Sequence, residues 1–134
     1  MKARMLCVLA VFALMTVAVA QKRHDVAALV MLPATVTVGE EFQIELYVVN
    51  NGTRDVTIRE IELYCGPSGD SAWGEIWTQS RVTIEGGGGM ATFDCKYKAT
   101  STGPWSIQCR MRFSGNEKAN MITPTKEFIV MPRP

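Results

Sequence analysis

The sequence is poor in the residues that enzymes most often use for acid–base and metal chemistry. Its 134 residues include one histidine, His24, beside Asp25 in a polar segment. A Ser-His-Asp or Cys-His arrangement would need that histidine held in a cleft, and zinc needs several closely grouped Cys or His ligands. The sequence therefore predicts no enzyme activity, no cofactor and no metal site. No acid pair stands out, since carboxylates on the predicted strands point outward: Glu45, Glu60, Glu62 and Asp94.

Charge and long apolar runs are also limited. The chain has 14 basic and 13 acidic residues and no basic block, which argues against a nucleic acid or an anionic membrane surface as partner. Beyond residue 20 no long stretch shows a 3.6-residue apolar period, and no second long apolar run follows. We therefore expect no long helix and no membrane span after signal cleavage.

The first twenty residues have the features of a secretory signal peptide. Lys2 and Arg4 precede an apolar run from Met5 to Val17, and Ala18-Val19-Ala20 has the small-x-small form of a cleavage site. The alternative is an uncleaved N-terminal anchor, although the run is shorter than a membrane span requires. We expect cleavage before Gln21 and a secreted protein, either extracellular or periplasmic.

The stretch from Val36 to Cys65 predicts a β-hairpin. Phe42, Ile44, Leu46 and Val48 alternate with polar residues, and the Asn50–Thr53 turn suits a tight reversal. The second strand changes phase, because Val56 and Ile58 have one parity whereas Ile61, Leu63 and Cys65 have the other. Either a β-bulge near Arg59-Glu60 or a strand that begins at Glu60 explains this change.

Further alternating segments follow, separated by turns rich in Gly, Pro and Asn. The clearest runs from Trp105 to Phe113, and Lys126 to Met131 is the last. Pro33 interrupts the first short strand, which suits an edge strand or a strand that switches sheets. Short strands at this spacing predict that residues 21–134 form one seven-stranded antiparallel immunoglobulin-like β-sandwich.

Two groups of motifs resemble known families. Leu32-Pro33, Val38-Gly39-Glu40, Val49-Asn50-Asn51-Gly52 and Gly103-Pro104-Trp105-Ser106-Ile107 resemble the bacterial and archaeal cell-adhesion-related domain. That resemblance implies a secreted immunoglobulin-like module and specifies no ligand.

The weaker resemblance is to chagasin-type inhibitors of cysteine proteases, carried by the glycine run at residues 86–89. The Asn-Pro-Thr-Thr-Gly and Arg-Pro-Trp/Phe loops of that family are absent, since Asn50–Thr53 and Arg112-Phe113 lack the prolines.

Three cysteines remain if Cys7 leaves with the signal peptide. Export makes a disulfide chemically plausible. An alternating layout favours a Cys95–Cys109 bridge that leaves Cys65 free; a Cys65–Cys95 bridge is the second choice, and three buried thiols are the alternative to both.

Strands that run up and down in order would bring three loops to one end, at residues 50–55, 86–89 and 114–120. Loops on a rigid scaffold often bind partners, although turn chemistry alone also explains their Asn and Gly content. The opposite end would carry a longer loop with two tryptophans.

We expect a non-enzymatic interaction or structural module with an unknown protein or surface partner. The candidate binding residues are Asn51, Gly52, Gly87, Gly88, Asn116, Trp73 and Trp77, and Asn51-Gly52-Thr53 is also an N-glycosylation acceptor pattern.

Overall fold

The computed structural model describes residues 25–70, 73–114 and 120–134. The predicted signal peptide, with Cys7 and His24, lies outside these residues, as does Asn116. The described residues form nine strands and no helix, so none of them belongs to a helix able to cross a bilayer. The strands are β1 (Val26–Met31), β2 (Thr35–Thr37), β3 (Glu41–Asn50), β4 (Val56–Pro67), β5 (Gly74–Ile84), β6 (Gly89–Lys98), β7 (Gly103–Phe113), β8 (Asn120–Ile122) and β9 (Lys126–Met131).

The strands form two sheets that pack face to face. The smaller sheet has the order β1-β3-β6, and the larger has the order β2-β9-β7-β4-β5, with β8 beside β7. Alternation along β3 and β7 directs one set of side chains into the space between the sheets, as the sequence pattern predicts. The all-β sandwich is thereby confirmed.

The core lies between the two sheets and is almost entirely apolar. Ile44 and Leu46 of β3 are buried in the same cluster as residues of β4 and β7, and Phe42 contacts Phe128 of β9 with ring centroids 5.5 Å apart. The inward residues of β7 are all buried: Trp105, Ile107, Cys109, Met111 and Phe113.

The described residues form nine strands where seven were predicted, and one strand pair is parallel where a purely antiparallel sandwich was predicted. Prolines explain part of this difference. Pro33 separates β1, which pairs with β3, from β2, which pairs with β9 in the other sheet. A proline cannot donate a ladder hydrogen bond, so the chain leaves one sheet there and joins the other. Both predicted alternatives hold: β1 and β2 are edge strands, and the chain switches sheets between them. β2 lies parallel to β9. Pro124 similarly lies between β8 and β9, which pair with different parts of β7.

The predicted bulge is present in β4. The pairing of β4 with β7 shifts register between Ile58 and Glu60. Ile58 on one side of the shift and Ile61 and Leu63 on the other are all buried in the core. The β-bulge interpretation is therefore confirmed, and the strand that starts only at Glu60 is excluded, because β4 begins at Val56.

The two ends of the described chain lie at opposite ends of the sandwich. The Asn51 amide donates to the Asp25 carbonyl oxygen (2.9 Å), beside the β3–β4 turn. At the other end, the Val38 amide donates to the Met131 carbonyl oxygen (2.9 Å), next to the β6–β7 connection. The long axis of the strands therefore separates residue 25 from residue 134.

Candidate functional site

The β3–β4 turn is built around a buried asparagine. Asn50 is 0% exposed, and its Nδ2 donates to the carbonyl oxygens of Arg54 (2.8 Å) and Ile84 (3.0 Å). Its Oδ1 accepts a hydrogen bond from the Gly52 amide at 3.0 Å. One side chain thus satisfies backbone groups of its own turn and of the end of β5, which fixes the turn against the neighbouring strand.

The β5–β6 loop is hydrogen-bonded to this turn. The Gly87 amide donates to the Gly52 carbonyl oxygen (2.6 Å), and the Gly88 amide donates to that of Asn50 (2.8 Å). Gly87 and Gly88 have φ of 78° and 97°, in the left-handed region that glycine adopts without strain. We call the two loops, residues 50–55 and 85–89, the loop end.

Gly86 is required for a different reason. A Cβ at Gly86 would lie 2.6 Å from the Thr53 carbonyl carbon, which is closer than real Cβ contacts come. The Gly86 amide also donates to Asp55 Oδ1 at 3.1 Å. The predicted proximity of these two loops is therefore confirmed, and their glycines serve both the turn and the contact between loops.

The third predicted loop begins at the same end. The Ser114 amide donates to the Thr57 carbonyl oxygen (3.1 Å) near the start of β4. Asn116 lies outside the described residues, so its role in binding stays a prediction.

The two tryptophans at the opposite end occupy different environments. Trp73 precedes β5 and packs against Gly66, where a Cβ would lie 2.7 Å from its ring. Its Nε1 is buried without a hydrogen-bond partner among the described residues. Trp77 lies within β5, not in the connecting loop where the sequence placed it, and its ring is 5.4 Å from that of Phe93. Both side chains are half-buried, so much of their surface serves internal packing.

A carboxylate cluster that the sequence did not reveal lies on the outer face of the larger sheet. It consists of Glu60, Glu62 and Glu75, whose carboxylates each place an oxygen within 4.8 Å of the others. Glu62 is only 4% exposed although it points outward. Oxygen ligands at this spacing are suited to a hard cation, and Arg112 beside Glu62 offsets part of the cluster's negative charge.

Glu62 already has protein partners. It accepts a hydrogen bond from the Tyr64 hydroxyl, and its Oε1 lies 3.7 Å from Arg112 Nε. The Tyr64 hydrogen bond is the main cause that holds the pKa of Glu62 below its usual value, whereas a hydrogen bond to Glu62 raises the pKa of Glu75. The Arg110 guanidinium lies over the Tyr64 ring, 4.1 Å from its centroid. Glu62 therefore has a hydrogen bond from Tyr64 and an ion pair with Arg112 on the sheet face.

The three cysteines among the described residues, Cys65, Cys95 and Cys109, are free thiols, and the predicted Cys95–Cys109 bridge is absent. Cys109 pairs with Leu63 in the middle of the larger sheet, whereas Cys95 pairs with Ile44 in the smaller sheet. Trp77, Leu63 and Cys109 are paired side by side on three neighbouring strands, and we call such a set a row. Trp77 contacts Phe93 of the smaller sheet, so the row that contains Cys109 faces Phe93 and not Cys95. The predicted bridge correctly placed Cys95 and Cys109 in different sheets, but the sequence spacing did not predict which rows of the two sheets face each other.

The sequence matches no protein-family profile and no curated protein. Its fold is similar to the cell-adhesion-related (CARDB) domain of a Pyrococcus furiosus protein, solved in complex with di-metal ions: TM-score 0.60, 19% identity, covering 80% of this chain and 88% of that domain. It is also similar to the superoxide reductase of Ignicoccus hospitalis (TM-score 0.54, 18% identity, 78% and 80% covered).

A β-glucosidase from Listeria innocua shares the fold over 82% of this chain but only 16% of its own length (TM-score 0.53, 13% identity). One sandwich thus occurs in proteins of unrelated activity, so these similarities concern the fold alone. The resemblance noted in the sequence is confirmed at that level: the chain is an all-β sandwich with the fold of the cell-adhesion-related domain.

Proposed function

We propose that the chain is a secreted, non-enzymatic interaction module whose protein or surface partner docks on the loop end. The observation that carries this proposal is the set of hydrogen bonds from Gly87 and Gly88 to Gly52 and Asn50, which joins two loops into one surface. A preorganised surface loses little conformational entropy when it binds. The sequence contains one histidine, His24, beside Asp25 in a polar segment, which supports a role without a histidine-based catalytic triad.

The loop end offers an exposed surface of mixed polarity. Asn51, Thr53, Arg54 and Asp55 are exposed on one loop, and Glu85 is exposed on the other. Because both charge signs are present beside bare glycine backbone, the surface suits a polar partner that forms hydrogen bonds. Trp73, near the opposite end, packs against Gly66, and Trp77, within β5, packs against Phe93, so internal contacts take up part of both side chains.

Matched arginine substitutions test the surface. The protein would be immobilised and used to capture partners from its native extracellular medium, as wild type and as Asn51→Arg, Thr53→Arg and Ser101→Arg. Ser101 is exposed at the opposite end of the sandwich and serves as the control. We expect the first two variants to lose the captured partner and Ser101→Arg to retain it. Equal capture by all three would exclude the loop end as the docking surface.

A second candidate function is inhibition of cysteine proteases in the manner of chagasin-type proteins. It is favoured by the position of the glycine run at residues 86–89 beside the Asn50–Asp55 loop at one end of the sandwich. Inhibition assays against a panel of papain-type proteases distinguish the two functions. Absence of inhibition at micromolar protein would eliminate this candidate and leave the binding-module proposal intact.

A further inference from the structure

Two ring contacts between the sheets define how β6 lies over β4. Trp77, in the row of Leu63, contacts Phe93 of β6 with centroids 5.4 Å apart. Trp105, in the row of Pro67, contacts Tyr97 of β6 at 6.1 Å. On β4, the inward position between these two rows is residue 65, and on β6 the inward position between the two rings is residue 95.

The row between the ring contacts therefore holds one cysteine from each sheet. Cys65 belongs to the buried core, and Cys95 is half-buried against that core. Electrostatic interactions connect the two sheets at this row. Burial is the main cause that raises the pKa of Cys65, and Cys95 raises it further. Burial is also the main cause that raises the pKa of Tyr97 on β6, and Cys65 raises it further. Cys109 lies one row away, beside Leu63.

We propose that Cys65 and Cys95 form an intersheet disulfide when the exported protein meets an oxidised low-molecular-weight disulfide, and that Cys109 remains a thiol. The bond would link β4 of the larger sheet to β6, an edge strand of the smaller sheet. It is independent of the proposed partner, because these cysteines lie inside the sandwich and away from the loop end.

The chemistry is a thiol–disulfide exchange in two steps. The Cys95 thiolate attacks one sulfur of oxidised glutathione, forms a mixed disulfide and releases one glutathione thiolate. Cys65 then loses its proton to solvent and attacks the Cys95 sulfur, which releases the second glutathione thiolate. Two protein thiols are thus oxidised, and one glutathione disulfide is reduced to two thiols. Cys95 attacks first because it is the more exposed of the pair.

The folded protein should react slowly at neutral pH. Burial raises the pKa of the Cys95 thiol to about 11 and that of Cys65 to about 12. Only the thiolate attacks a disulfide, so the oxidation rate should rise about tenfold for each pH unit between pH 7 and pH 9.

Peptide mapping gives a direct test, since trypsin separates the three cysteines. Cleavage after Arg59, Arg81, Lys96, Lys98 and Arg110 leaves Cys65, Cys95 and Cys109 in different peptides. The protein would be expressed from its full sequence with export, reduced, and then exposed to oxidised glutathione. We expect a mass loss of about 2 Da for two hydrogens and a linked pair of peptides, 60–81 with 82–96. The oxidised form should melt roughly 10–20 °C above the reduced form, as expected for a loop of this size.

Single cysteine variants distinguish the Cys65–Cys95 disulfide from the two alternative pairings, which both include Cys109. Cys109→Ala should keep both the linked peptides and the rise in melting temperature, whereas Cys95→Ala should lose both. A linked peptide that contains Cys109 would overturn the proposal. So would the recovery, after oxidation at pH 9, of three alkylatable thiols in the wild type and two in Cys109→Ala. Because the mapping of wild type and Cys109→Ala is decisive alone, the test survives if Cys95→Ala does not fold.

Discussion

Replacement of Asn50 by alanine should destabilise the protein far more than the same change at Asn51. Asn50 is fully buried and uses both side-chain groups, with hydrogen bonds of 2.8 and 3.0 Å from Nδ2 and one of 3.0 Å to Oδ1. Asn51 is exposed, and its backbone amide, not its side chain, bonds Asp25. The pair of adjacent asparagines therefore provides a matched control within a single turn.

The expected cost follows from the groups left without partners. Each of the three hydrogen bonds contributes about 1 kcal/mol net. The Ile84 carbonyl oxygen lies at a buried position, where an unpaired acceptor costs about 1–3 kcal/mol unless water enters. Because water can reach the more exposed Arg54 and Gly52 backbone, we expect Asn50→Ala to lower the free energy of unfolding by about 2–4 kcal/mol. Asn51→Ala should change it by about 0.5 kcal/mol or less.

Urea denaturation followed by tryptophan fluorescence measures both variants, since Trp73, Trp77 and Trp105 all contact other residues of the folded chain. Asn50→Asp is an informative third variant because it keeps the acceptor for Gly52 but loses both donated bonds. It should be at least as destabilised as Asn50→Ala at pH 7, where a carboxylate would face two carbonyl oxygens. Equal stability of Asn50→Ala and Asn51→Ala would refute the assignment of Asn50 as the residue that fixes the turn.

Three further predictions concern other parts of the chain. Gly86→Ala should cost about 1–3 kcal/mol in urea denaturation because its Cβ would meet backbone, whereas Gly74→Ala, where nothing lies within 4 Å, should be nearly neutral. Glu62→Gln should cost about 2 kcal/mol at pH 7. The pKa of Glu62 is lowered in the folded state, so this stabilisation is present above the unfolded pKa and is lost as the pH falls through the folded pKa. Urea denaturation at a series of pH values should therefore show that the difference in free energy of unfolding between wild type and Glu62→Gln narrows below about pH 4, near the reference carboxyl pKa. A difference that stays constant with pH would contradict this. Intact-mass analysis of the exported protein should show a chain that starts at Gln21; a Met1 start would refute signal cleavage.

The sequence pattern was sufficient for features that depend on one strand at a time. Alternation of apolar residues in β3 and β7 predicted which side chains enter the core, because side chains in a strand alternate between faces. The change of parity between Ile58 and Ile61 indicated either a bulge in β4 or a strand that begins at Glu60. The structure has the bulge, which lets both residues reach the same core. Pro33 predicted an edge strand or a switch of sheets, because it removes a ladder donor, and the chain shows both at this point.

Features that depend on two or three strands were not predictable in the same way. Glu62 is outward by parity, but its burial comes from Tyr64 on its own strand and Arg112 on β7, and the cluster is completed by Glu75 on β5. Which residues meet depends on the register after two irregularities, at Ile58/Glu60 and Leu63/Tyr64. For the same reason the predicted Cys95–Cys109 pair is wrong, because the register places Cys109 beside Leu63 and Cys95 beside Ile44. The hydrogen bonds of Asn50 were hidden because an Asn-Gly turn is already explained by its backbone conformation.

The placement of residues 25 and 134 at opposite ends has a mechanical consequence. A force that pulls these two residues apart acts along the strands and not across them. It loads the β1–β3 pair, six residue pairs in register from Val26 to Met31, together with the parallel β2–β9 pair. Hydrogen bonds arranged in this way bear the load together, whereas hairpins pulled from one end open one bond at a time. A sandwich held at residue 25 and loaded at residue 134 would therefore share the force among the hydrogen bonds of these two strand pairs.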